Sequence, residues 1–82
     1  MQAAALLSQP SGRIRPLISP REQEVLLLIS NGYVTREIAS NLFISDHTVN
    51  DHRKALMAKL NARNVAQMIR RGFELNLLNA SI

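Results

Sequence analysis

The chain contains no cysteine and no tryptophan, and only one tyrosine and two phenylalanines among its 82 residues. Without cysteine there is no disulfide framework, no thiol nucleophile and no cysteine zinc site, which makes an intracellular, cytoplasmic protein the default expectation. Aromatics are 4% while apolar residues reach 46%, so Leu, Ile, Val and Ala must fill the core. That composition suits packed helices better than a β-sandwich, and an all-α fold is expected. His47 and His52 alone cannot make a metal site, and no carboxylate pair or Ser/His/Asp set is spaced for catalysis, so no enzyme, metal, cofactor or small-molecule ligand is expected. Long apolar runs are missing as well. The run from Ala3 to Leu7 is short and has no basic residue before it, so it is neither a secretory signal nor a membrane span.

What is present is a small amount of positive charge, unevenly placed. The net charge is +4, which fits a partner with phosphates and fits a merely soluble basic domain. Residues 21–44 sum to −1, whereas residues 45–63, with Asp46, Asp51, Arg53, Lys54, Lys59 and Arg63, sum to +2. A chain of this length buries only about 60–65% of its unfolded surface, so its core must be compact and local.

Taken in order, residues 1–17 read as a flexible lead-in, with Ser8, Pro10, Ser11, Gly12 and Pro16 as breakers. Such a start fits a piece of a longer chain as well as a stand-alone protein. Ser19, Pro20 and Glu22 form a capping box with proline at the first helical position. Val25, Leu28 and Ile29 line one face of that helix, Leu26 and Leu27 widen its apolar surface, and Asn31 and Gly32 end it. Thr35 to Leu42 predicts a second, short helix with Ile38, Ala39 and Leu42 inward, followed by Phe43 and Ile44 as an apolar connector. Ser45 then caps a third helix, with Asp46 in its first turn. Two helices joined by a short turn, the second with a polar stripe, make a helix-turn-helix. Asn64 and Gln67 predict a fourth helix with Val65, Met68, Ile69, Gly72 and Phe73 as its apolar stripe. Gly72 in that stripe implies a close neighbour, either the core or a second copy. NLLNASI, residues 76–82, reads as a fraying end, with the domain placed at 18–78 and 79–82 as its frayed terminus.

The third helix organises the rest. Val49, His52, Leu56 and Leu60 share one side of a helix of 3.6 residues per turn. His47, Asn50, Asp51 and Lys54 share the other, within a sector of about 100°. A helix anchored by aliphatics and presenting amides, cations and small acceptors fits the major groove of B-DNA. An ordinary amphipathic helix with a solvated face has the same periodicity.

Over residues 18–67 the chain resembles the LuxR/GerE-type DNA-binding domain of bacterial response regulators and quorum-sensing regulators. The resemblance rests on SPREQEVL at Ser19–Leu26, Gly32, REIASNLFIS at Arg36–Ser45, HTVNDHRK at His47–Lys54 and KLNARN at Lys59–Asn64, in that order and spacing. Sigma-factor region 4 is similar in its helix-turn-helix and ranks second. The first resemblance implies a four-helix domain whose third helix enters the major groove and whose fourth pairs two copies on a two-fold-related site. It implies base contacts from Asn50, Asp51 and Lys54, and phosphate contacts from Thr35, Arg36, Ser45, His47, Thr48 and Lys59. Arg53, on the flank of the stripe, adds a backbone contact or a plain surface arginine. The expected dimer surface is Val65, Met68, Ile69, Gly72 and Phe73, and RNA polymerase joins DNA as a candidate partner.

Three positions depart from the family. Asn50 stands where a lysine is usual, which exchanges a cation for a group able to pair with adenine. Val34 replaces the usual Ser or Thr of a capping box with Glu37, a loss of about 1 kcal/mol unless Thr35 takes over one residue later. Val65 replaces a common arginine. The sequence therefore predicts a four-helix, sequence-specific DNA-binding transcriptional regulator. The competing expectation is an interaction or dimerisation module that keeps the fold and meets proteins through Leu26, Leu27, Met68, Ile69 and Phe73.

Overall fold

The computed structural model describes residues 17–79, so the lead-in expected at 1–17 lies outside the described residues but for Leu17, as does the terminus beyond Asn79. Four helices follow one another: α1 (Pro20–Ser30), α2 (Thr35–Leu42), α3 (Asp46–Lys59) and α4 (Val65–Glu74). No strand occurs among the described residues.

The helix starts are written in side chains. The Glu22 N–H donates to Ser19 Oγ (3.1 Å), and the Ser19 N–H donates back to Glu22 Oε1 (3.0 Å). Ser45 Oγ accepts from the Thr48 N–H (3.0 Å) at the head of α3. At α4 Asn64 Oδ1 accepts from the Gln67 N–H (2.9 Å), while Gln67 Oε1 reaches one residue past the cap, to the Arg63 N–H (2.8 Å). α2 is the exception. Val34 holds its cap position without a side-chain acceptor, and only the return half of the box forms, from the Val34 N–H to Glu37 Oε1 (2.9 Å). Thr35 does not take over, because it is already the first helical residue and its hydroxyl is turned to Asn50.

The helix stops share one geometry. Gly32, Phe43, Asn61 and Asn76 all have positive φ. After each, the next N–H reaches back five residues, from Tyr33 to the Leu28 carbonyl, Ile44 to Ala39, Ala62 to Met57 and Leu77 to Gly72. Gly and Asn enter this left-handed region readily; Phe43 does so at a cost of about 1–2 kcal/mol. Phe43 is also 92% exposed. The apolar connector expected at Phe43 and Ile44 is thus half correct, for Ile44 packs against the core and Phe43 does not.

Packing follows the helical period. Val25, Leu26 and Ile29 of α1 meet Ile38 and Ala39 of α2, Val49 and Leu56 of α3, Leu60 at the end of α3, and Met68 of α4. Of the two surplus leucines in α1, Leu26 is fully buried and Leu27 is half exposed. α1 is the hub: α2, α3 and α4 all pack on it, and α3 also packs on α2.

The tail departs from the fraying expected from residue 76, while staying within the bound placed at 78. Leu78 is buried, and the Leu77 carbonyl accepts from Gln23 Nε2 (2.6 Å), so residues 75–78 fold back as a lid on α1 and α4 instead of fraying. Gly72 is explained here. A Cβ at Gly72 would lie 2.7 Å from Leu78 Cδ1 and 3.4 Å from Leu26 Cδ2, so its close neighbour is this chain's own core. Leu78→Ala should accordingly lower stability by about 2–4 kcal/mol in urea unfolding, the range for an emptied leucine site; a change near zero would restore the frayed end.

Candidate nucleic-acid interface

α3 is fixed by what it buries. Val49 and Leu56 are fully enclosed, Leu60 closes the end of the helix, and His52 is half-buried on the flank of that side. Residues on the opposite side must then face outward, and His47, Asn50, Asp51 and Lys54 are all exposed. Together with Arg53 and Met57 they line a shallow recess along α3. Met57 was not singled out from the sequence; its place one turn beyond Arg53 is the signal that marks it.

The head of α3 carries two coupled hydroxyls. Ser45 Oγ and Thr48 Oγ1 lie 3.0 Å apart, and one hydroxyl proton serves that contact. Whichever donates, the other O–H is left to donate outward. Two further contacts bear on the stripe. His47 Nε2 lies 3.6 Å from Asp51 Oδ2, across one helical turn. Thr35 Oγ1, at the first turn of α2, donates to Asn50 Oδ1 over 3.4 Å.

The charges sort themselves by partner. Arg21 pairs with Glu24, Arg70 and Arg71 both pair with Glu74, and Lys59 pairs with Glu22. Among the described residues, the cations left without a carboxylate partner are Arg36, Arg53, Lys54 and Arg63. Three of these four lie on the helix-turn-helix, a concentration that the net charge conceals. Lys59, expected at a phosphate, is instead tied at 2.8 Å to Glu22, which is only 7% exposed. Nothing local could have shown this, since 37 residues separate the two.

That tie is the shortest ion pair among the described residues. Burial pushes the Glu22 carboxyl up, but the Lys59 hydrogen bond and charge, with the Ser19 N–H and hydroxyl, outweigh it and hold the pKa below the ordinary 4.5.

In α4, Met68 is fully buried and Gly72 is covered by Leu78, so both face the chain's own core. Val65 and Ile69 are half-buried and Phe73 is 42% exposed, and these three remain available to a second copy. The competing protein-binding surface shrinks likewise, since Leu26 and Met68 are inside.

Residues 16–71 match the model of the family described as bacterial regulatory proteins, luxR family. The chain belongs to that family. It is a luxR-type DNA-binding regulator domain, homologous to response regulators, and that family is one of transcription regulators and not an enzyme class. It is 38% identical over 63 residues to the oxygen regulatory protein NreC of Staphylococcus carnosus, covering 77% of this chain and 29% of NreC. To the tetrathionate response regulatory protein TtrR of Salmonella typhimurium it is 39% identical over 54 residues, 66% of this chain and 26% of TtrR. It thus spans less than a third of the length of these curated relatives. Among solved structures, the response regulator ChrA of a heme-sensing two-component system superposes with a TM-score of 0.74 at 31% identity, over 94% of this chain and 38% of ChrA. VqmA of Vibrio cholera, solved as a ligand-DNA complex, shares the fold with a TM-score of 0.71 at 23% identity, over 93% of this chain and 36% of VqmA. Among the described residues no helix is long and apolar enough to cross a membrane.

A carboxyl whose folded-state pKa is depressed stabilises fully above its unfolded value and loses that contribution as pH falls through the folded value. Stability should therefore drop as pH falls from about 4.5, and Glu22→Gln should start lower and lose the part of that slope due to Glu22. Urea midpoints between about pH 6 and about pH 3 measure both; parallel curves for parent and variant would remove the tie from the account.

Proposed function

We propose that the chain binds a specific site on double-stranded DNA with α3 in the major groove, as the DNA-reading part of a cytoplasmic transcriptional regulator. One observation carries the reading: the side of α3 opposite Val49 and Leu56 presents Asn50, Asp51 and Lys54 outward, flanked by cations that no carboxylate of the described chain neutralises. Lys54 donates to guanine O6 or N7, Asn50 meets the neighbouring base edge, and Asp51 either accepts from cytosine N4 or repels misplaced phosphates. Arg36, Arg53, His47 and the free hydroxyl of the Ser45–Thr48 pair contact phosphates, which set register without reading sequence. Lys59 is reserved for Glu22 and drops out of the phosphate set.

Two copies pair through the outer strip of α4, Val65, Ile69 and Phe73, spaced one helical turn apart, so that two groove helices address a two-fold site. RNA polymerase as a further partner is consistent with this role, although no surface singles it out.

Affinity should fall steeply with salt as counterions are released. Arg36→Ala should weaken all sequences alike and flatten the salt slope by about one, whereas Lys54→Ala should cost about 1–3 kcal/mol on the selected site and relax one base position. Mobility shifts on selected and random duplexes across salt decide this, and equal losses on both for Lys54→Ala would overturn its role. Phe73→Glu should leave binding to a half-site intact while abolishing the cooperative second shift on the full site; unchanged cooperativity would move the dimer contact elsewhere.

A further inference from the structure

Val34 and Val65 are far apart in sequence and stand on one recess. Ile29, Tyr33, Val34 and Val65, together with Thr35 and Arg53, line a shallow space of about 320 Å³ between the α1–α2 turn, α3 and the start of α4. Ile29 is nearly buried there, whereas Tyr33 is 39% and Val34 59% exposed and neither belongs to the core. Both valines depart from the family pattern, which has a hydroxyl at the first position and an arginine at the second, so this recess is apolar in its own right. Val34 does nothing for the helix it precedes. A serine there would add the side-chain acceptor that the start of α2 lacks.

The recess is continuous with the outer strip of α4, because Val65 belongs to both. That strip is symmetric about Ile69, with Val65 one turn before it and Phe73 one turn after. Two α4 helices laid antiparallel, with the two-fold axis at Ile69, therefore set Phe73 of each copy against Val65 of the other. Phe73 is exposed and lies outside its own core. We propose that Phe73 of a second copy docks in the recess of Ile29, Tyr33, Val34 and Val65, so that the α1–α2 turn holds the pair as well as α4. Parallel helices would instead bring Phe73 to Phe73, two helical turns or about 12 Å from Val65. Because a two-fold contact is made twice, even a shallow site counts double.

The inference rests on the pairing through α4 proposed above, and the experiment separates the two. The chain has no cysteine, so a thiol introduced into the full chain is the only one present. A disulfide then reports Cβ atoms that approach to about 4 Å. Under mild oxidation, with and without random duplex, Ile69→Cys should link to itself, while Val65→Cys and Phe73→Cys should link when mixed and not alone. In sedimentation, Val34→Ser should weaken pairing about tenfold or more, since the contact is lost twice. It should also raise the urea midpoint of the dilute monomer by supplying the missing cap, whereas a merely structural valine would move both readings the same way. Combined with Phe73→Ala, it should pair no more weakly than the worse single variant. Additive losses, or Val34→Ser pairing like the parent, would give the recess to another occupant and overturn the inference while α4 pairing stands. Phe73→Cys linking to itself would overturn the antiparallel register and the inference with it. If no variant links and the parent sediments as a monomer with and without duplex, the α4 pairing itself is overturned.

Discussion

Burial of Val49, Leu56 and Leu60 is the constraint on which the remainder of the molecule depends. A helix is a rigid cylinder with side chains every 100°, so fixing three aliphatics against α1 and α2 also fixes what the far side displays. The chain does not need to hold Asn50, Asp51 and Lys54 in place individually. It needs only to seat α3, and the outward stripe follows as geometry. α1 and α2 share that seat almost equally, and the capping box of α1, its buried Leu26 and its polar tie to the end of α3 act on the interface without touching it.

Charge is arranged by subtraction. Half of the lysines and arginines in the described chain are matched by a carboxylate, and the unmatched half gather on α2 and α3 with Arg63 just beyond. Exposed ion pairs contribute little to stability, and Glu37, Asp46 and Asp51 on the same two helices likewise have no lysine or arginine partner. Glu22 and Lys59 are a different case. With Glu22 nearly enclosed and Lys59 exposed, removing the lysine strands the carboxylate in a poor environment, whereas removing the glutamate returns the lysine to solvent. That pair joins the start of α1 to the last turn of α3, and the lysine is also well placed against the carbonyl end of the helix dipole.

Much of this was legible from the residues alone, for identifiable reasons. Helix starts at Ser19, Ser45 and Asn64 and the stop at Gly32 are local devices, and local devices can be read locally. The inward and outward faces of α3 follow from period. What could not be read was anything joining distant segments: Lys59 to Glu22, Gln23 to the Leu77 carbonyl, and the close approach of Leu78 to Gly72. A tail rich in Asn and Leu has no periodicity to announce that one of its leucines completes a core. Likewise Met68 and Gly72 lie on the apolar stripe of α4, and periodicity cannot say whether such a stripe is satisfied by the same chain or by another. The departure at Val34 was visible, whereas its resolution was not, because the Thr35 hydroxyl turns to a residue of another helix.

The four matched helix endings bear on how the molecule comes to be folded at all. Each closes over five residues with its own backbone, so each helix carries its own terminator, while its stability comes from packing against its neighbours. Connections of three to five residues then bring successive helices together at low loop-closure entropy. Such a topology has low contact order, the regime of folding in microseconds to milliseconds. The polar clasps that reach across the chain, Glu22 to Lys59 and Gln23 to Leu77, span 37 and 54 residues and are the long-range exceptions to this local pattern. In the setting of a longer polypeptide, a unit assembled this way can acquire its shape without instruction from whatever precedes it.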